Sequence, residues 1–128
     1  MLPEPEPWPN PGQVLLVEDD VLVRFLLSEK LREAGLGVIE AANADEAFSY
    51  IQTAVQIDLL FTDVQMPGSM DGVELARRIR SSCPSVRIIL TSGNSGRLAD
   101  YPGAFLPNPY DFDHAVSVVF ETLGFKTS

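Results

Sequence analysis

Short, unbroken apolar runs recur along the chain, and they constrain its fold more than any other feature. Val14-Leu-Leu-Val17 is continuously apolar, and Asp58-Leu-Leu-Phe-Thr62 and Val86 to Thr91 carry apolar centres at Leu59 to Phe61 and Ile88 to Leu90. A strand wetted on one face alternates polar with apolar residues, so runs like these need cover on both faces. Gly37 to Ala41 and the shorter Ala104 to Leu106 read as two further strands. Between them lie stretches with helical spacing. Asp20 is placed to cap a helix carrying Leu22, Phe25, Leu26 and Leu31 on neighbouring faces and ending near Ala34-Gly35. Asn43 caps a second through about Ala54, with Ala44, Ala47, Phe48 and Ile51 inward. A third runs from about Val73 to Ser82 with Leu75, Ala76 and Ile79 inward. The last starts near Asp111 and runs to Leu123 along Phe112, Val116, Val119 and Leu123, with Gly124 as its stop. From Ser92 to Gly103, three glycines and Pro102 limit any helix to about two turns.

Five strands alternating with helices predict an α/β domain, an open parallel sheet with helices on both faces. At 128 residues the chain can build one such domain, expected over residues 13–124, with a tail at 125–128. Residues 1–12 form a leader in which MLPEPEPWPNP holds five of the ten prolines. Such a segment is expected to be disordered outside the fold, although its PxPxP spacing could dock an aromatic groove. Cys83 is the one cysteine, so no intramolecular disulfide is available. No apolar run approaches the roughly 20 residues that span a bilayer, and the start lacks a signal-peptide pattern. A cytoplasmic domain without membrane contact is expected. The formal net charge of −9 repels phosphate backbones and disfavours nucleic-acid binding.

In such sheets ligands bind beyond the carboxyl ends of the strands, where the winding reverses. Glu18, Asp19 and Asp20 follow the first strand, and Asp63 follows the third. If those strands are neighbours, the carboxylates converge on one crevice, and a hard divalent cation is the usual remedy for their repulsion. Mg2+ fits, because it takes oxygen ligands and works beside phosphate oxygens. Asp20 is accounted for as a helix cap; Glu18, Asp19 and Asp63 are not needed for any such local purpose. Thr91, Ser92 and Gly93 after the fourth strand offer hydroxyls and an open amide to an anion. Carboxylates, a divalent cation and a hydroxyl together suit phosphoryl transfer onto an aspartate.

VLLVEDD, FTDVQMPGSMDGVELA, IILTSG and FLPNPY resemble, in order and spacing, the motifs of response-regulator receiver domains. The resemblance covers about Gln13 to Leu123. It implies a doubly wound, flavodoxin-like five-stranded sheet in the order 2-1-3-4-5. It also implies that Asp63 is the phosphoacceptor and that Glu18 and Asp19 are the acidic pair that holds Mg2+, with Gln65 supplying a backbone carbonyl. Ser92 resembles the switch hydroxyl, with Thr91 as second choice, and Phe105 the switch aromatic. Pro109 resembles a proline that in the family often follows a cis peptide bond. The implied donor is a histidine kinase or phosphotransfer protein, and the domain would be a monomer or a weak dimer through the 92–103 helix and the fifth strand.

Two departures stand out. The Gly68-Ser69-Met70 loop is one residue longer than the commonest form. Asn108 stands where the family places a lysine, so an amide replaces an ammonium at the site. No other basic residue follows a strand; Arg97 is the nearest by sequence. With no output domain, the expectation is a single-domain regulator that signals through protein contacts. The alternatives are a degenerate receiver recognised irrespective of phosphorylation, favoured by Asn108, and a Mg2+-dependent phosphohydrolase. The hydrolase reading fits poorly, since such enzymes place a nucleophilic aspartate after the first strand and carry a cap domain. A nucleotide-binding module lacks its glycine-rich loop after the first strand. The chain is therefore expected not to be an enzyme in the ordinary sense. His114, off the last helix's apolar stripe, reads as a solvated side chain rather than a phosphate carrier, and Arg77, Arg78 and Arg80 as a solvated helix face.

Overall fold

A computed structural model describes residues 12–53, 56–93 and 103–125. The chain runs β1 (Gln13–Val17), α1 (Val21–Glu33), β2 (Gly37–Ala41), α2 (Ala44–Ile51), β3 (Leu59–Asp63), α3 (Gly72–Ser82), β4 (Arg87–Ser92), β5 (Ala104–Pro107) and α4 (Phe112–Thr122). The five strands form one sheet in the order β2-β1-β3-β4-β5, and every pairing is parallel. This is the doubly wound, flavodoxin-like arrangement expected, with the winding reversing between β1 and β3. The leader before Gly12, the end of the expected second helix at Ala54, the 94–102 stretch with Arg97, and the tail after Phe125 lie outside the described residues.

Period-two alternation of the strands divides the core. Leu15, Val17, Leu60, Ile88 and Leu90 face α2 and α3, whose Ala44, Ala47, Leu75, Ala76 and Ile79 complete that layer. Val14, Leu16, Leu59, Phe61, Ile89 and Leu106 face the opposite way, against Leu27 and Leu31 of α1 and Ala115 and Val119 of α4. That leaves no polar side at the centres of the first, third and fourth strands, hence the apolar runs there.

The caps expected at Asp20 and Asn43 are present, and Asp71 and Asp111 cap the other two helices in the same way. The side chains of Asp20, Asn43, Asp71 and Asp111 accept from backbone N–H groups one or two residues inside α1, α2, α3 and α4. Gly35, with φ of 101°, closes α1 as Leu36 N–H reaches back to the Leu31 carbonyl.

The inward face of α1 differs from the expected one. Leu31 is buried, but Val21, Leu22 and Phe25 are 68%, 64% and 54% exposed, and Leu26 is also exposed. The helix turns Leu27, Ser28 and Leu31 to the sheet instead. Val21, Leu22, Val23, Phe25, Leu26 and Leu27 ring the first two turns almost completely, so spacing alone does not select a face. Ser28 is tolerated inside because its hydroxyl donates to the Phe25 carbonyl at 3.0 Å.

Candidate functional site

β1 and β3 are hydrogen-bonded neighbours, so their carboxyl ends deliver Glu18, Asp19 and Asp63 to one place. A carboxylate oxygen from each lies within 4.8 Å of those from the other two. Glu18 and Asp63 are half-buried and Asp19 is exposed. Burial, then the charges of Asp63 and Asp19, push the Glu18 carboxyl up to about 7. The Asp63 carboxyl is also raised, chiefly by burial, although N–H groups of Gln65 and Val64 and a hydrogen bond from Glu18 pull it back. Among the described residues the ion pairs join Arg24 and Arg32 to Glu40, Lys30 to Asp113 and Arg78 to Glu74, and none engages these three acids. An all-oxygen, net-negative cluster in which no described cation pairs with the carboxylates matches what a hard divalent ion requires, so the residues present fit Mg2+.

Asp63 is set by what surrounds it. The Gln65 N–H donates to its Oδ1 at 3.3 Å, and Gln65 itself is exposed. The Val64 N–H is tied to the Thr91 carbonyl at 2.9 Å, and the Gly72 N–H to the Val64 carbonyl at 2.9 Å. Gly72 makes this possible: a Cβ there would overlap the Asp63 carbonyl oxygen. The longer loop between them is anchored to α2, since Ser69 donates to Asp45 through its hydroxyl at 2.7 Å and its N–H at 3.3 Å.

At the end of β4 the two hydroxyls part company. Asp63 pairs in register with Thr91, and Thr91 with Leu106, so these three share the face that packs on α1 and α4. Strand alternation puts Ser92 on the other face with Leu90. Both are buried. The Asn108 side chain points its Nδ2 at the Thr91 Oγ1, 3.5 Å away, while its N–H donates to the Ser92 carbonyl at 3.0 Å. Phe105 is half-buried against the α2/α3 layer, away from the acids. The Asn108–Pro109 peptide is cis.

A cavity of about 550 Å³ opens beside the acids, lined by Glu18, Val23, Gly93, Asn108, Pro109, Tyr110 and Phe112. Tyr110 stacks edge-on with Phe61 and Phe112, centroids 5.8 and 6.0 Å away. Burial, then the Glu18 and Asp63 charges, hold its hydroxyl protonated well above the usual range. Gly72, through its close approach to the Asp63 carbonyl, and Tyr110, as a cavity wall, shape the site in ways the sequence motifs did not convey.

The response regulator receiver domain model matches residues 14–101. The chain belongs to the receiver domain family. It is similar to the DNA-binding transcriptional regulator NtrC of Salmonella typhimurium, 34% identical over 114 residues, which cover 84% of this chain but 24% of NtrC. It therefore spans about a quarter of the length of that relative. Among solved structures, the receiver domain of the hybrid histidine kinase CckA is 34% identical, with a TM-score of 0.76 over 88% of this chain and 99% of that one. The response regulator TrrA of Thermotoga maritima, solved in complex with Mg(2+)-BeF, is 29% identical, with a TM-score of 0.76 over 86% of this chain and 97% of that one. Receiver domains of two-component systems are phosphoacceptors rather than ordinary enzymes, and they work with histidine kinases or phosphotransfer proteins. No helix among the described residues of this receiver is long and apolar enough to cross a membrane.

Proposed function

We propose that this receiver accepts a phosphoryl group on the Asp63 carboxylate from a histidine kinase or phosphotransfer protein, and signals through changed protein contacts. The observation that carries this reading is the convergence of Glu18, Asp19 and Asp63 within 4.8 Å. Glu18, Asp19 and Asp63, with the Gln65 carbonyl, would hold Mg2+. When bound, Mg2+ supplies the positive charge that offsets both the carboxylates and the phosphoryl oxygens. The Gln65 N–H orients the Asp63 carboxylate for in-line attack. A new bond forms from Asp63 oxygen to phosphorus as the bond from phosphorus to the donor nitrogen breaks, and the leaving imidazole takes up a proton.

Ser92 is the hydroxyl proposed for the phosphoryl oxygens, and the second choice, on the Asp63 face of the sheet, is Thr91. Asn108 stands beside it as a neutral donor where the family carries a cation. Phe105, packed against the α2/α3 layer, is the aromatic through which a shift at Ser92 would reach the outer surface near β5. The degenerate-receiver reading draws on one observation, that the Asn108 amide is turned toward Thr91 and brings no charge to the acids.

The test is an intact-mass measurement after incubation with a small-molecule phosphodonor. A single phosphoryl adduct that requires Mg2+ and disappears in Asp63→Ala supports the proposal. No adduct, under conditions that label another receiver, supports the phosphorylation-independent module.

A further inference from the structure

Arg24, one turn inside α1, is more deeply placed than an ordinary helix-surface arginine, with 19% of its side chain exposed. Its Nη1 donates to the backbone carbonyl of Glu18 at 2.8 Å, and its Nε lies 3.5 Å from Glu40 Oε1. The second Glu40 oxygen lies 3.2 Å from Arg32 Nη1. Arg32 is held in turn by the Ser28 hydroxyl at 3.3 Å and the Val38 carbonyl at 3.1 Å. The guanidinium of Arg24 is thus fixed from the β2 side and spends one donor on the loop that carries the acids.

That carbonyl is a particular one. It belongs to the peptide unit joining Glu18 to Asp19, so its direction sets ψ of Glu18 and φ of Asp19 together. The Glu18 N–H is already fixed by the Ala41 carbonyl at 3.1 Å, and Asp20 by its capping bonds to the N–H groups of Leu22 and Val23. Between these two anchors the Glu18–Asp19 peptide could still rotate, and rotation would swing both carboxylates relative to Asp63. The Arg24 bond opposes that rotation at the carbonyl, while the Asp20 N–H holds the Glu18 carboxylate itself.

We propose that Arg24 is a positioning residue, whose hydrogen bond to the Glu18 carbonyl aims the Glu18 and Asp19 carboxylates jointly at a divalent cation. The inference rests on the reading of those acids as metal ligands. Arg32 provides the internal comparison, because it pairs with the same Glu40 but has no bond to the Glu18 peptide.

The experiment is calorimetric titration of the full chain with Mg2+, alongside thermal melts without metal. Arg24→Met is expected to weaken Mg2+ binding by about 10-fold or more, the usual effect of removing a group that orients metal ligands. Arg24→Lys, which keeps the charge and one donor but not the fork, is expected to fall between Arg24→Met and the unchanged protein. Arg32→Met is expected to lower the melting temperature while leaving Mg2+ affinity within about twofold, since it touches none of the ligands. Unchanged affinity in Arg24→Met, or an equal loss in Arg32→Met, overturns the positioning role and leaves the functional reading standing. Absence of Mg2+ binding in the unsubstituted protein overturns the functional reading, and this proposal with it. Should Arg24→Met fail to fold, Arg24→Lys carries the same test, and affinity equal to the unsubstituted protein overturns the proposal.

Discussion

Glu18 ties the stability of this receiver to pH in a direction opposite to the usual carboxylate. Its folded-state pKa is about 7, against 4.5 in the unfolded chain, because burial and the neighbouring Asp63 and Asp19 charges disfavour ionisation. Between these values the folded protein holds a proton that the unfolded chain has released. Stability from this group is therefore fully present below about pH 4.5 and is lost as pH rises through about 7. At about 1.4 kcal/mol per pK unit the ceiling is about 3.4 kcal/mol. Water reaches the half-buried carboxyl and screens its neighbours, which reduces the expected effect to about 1–2 kcal/mol, or about 4–8 °C in melting temperature. Asp63, also raised, adds in the same direction. Mg2+ must displace the shared proton, so the stabilisation it gives should grow over the same range. The assay is a set of thermal melts from about pH 5 to about pH 8, with and without Mg2+, on the unsubstituted protein and on Glu18→Gln. The difference between the two proteins removes the background of the other carboxylates. Without metal, the unsubstituted protein should lose stability relative to Glu18→Gln as pH rises. Parallel curves for the two proteins across that range would refute the reasoning.

Gly72→Ala should lower stability by about 1–3 kcal/mol and impair phosphorylation, because the new methyl group meets the Asp63 carbonyl oxygen, which is backbone and cannot yield. Gly93→Ala, whose Cβ meets nothing within 4 Å, is the control and should melt within about 0.5 kcal/mol of the unsubstituted protein. Asn108→Lys restores a cation beside the acids and should lengthen the phosphoryl lifetime; an unchanged rate and lifetime of labelling would show that the charge is dispensable here. Asp71→Ala removes the bond to the Glu74 N–H at 2.9 Å and should cost about 1 kcal/mol in chemical denaturation.

The sheet was legible in sequence because β1, β3 and β4 are covered on both faces, which no other common arrangement demands of so many consecutive apolar residues. The starts of α1 and α2 were legible for a local reason, since Asp20 and Asn43 each act within their own first turn, whereas the Asp71 cap of α3 lay hidden in a long polar loop. The face of α1 was not. Its first two turns are apolar nearly all round, and only the shape of the sheet decides that Leu27 rather than Leu22 or Phe25 goes inside. The acids could be named because strand ends are where such sheets place their chemistry. That Thr91 rather than Ser92 shares the Asp63 face follows from the register of β3 against β4, a relation between strands that motif spacing does not contain. Gly72 and Arg24 matter through contacts with single backbone carbonyls, those of Asp63 and Glu18, and nothing in the side-chain pattern reports a carbonyl's direction.

Locating the phosphoryl group by reduction tests the central claim most directly. After labelling with a phosphodonor in the presence of Mg2+, borohydride converts an acyl phosphate on aspartate to homoserine, which peptide sequencing by mass spectrometry assigns to a position. Homoserine is expected at residue 63 alone, dependent on both donor and Mg2+. Homoserine at residue 19 or 20, or a labelled protein in which Asp63 survives reduction, would contradict it.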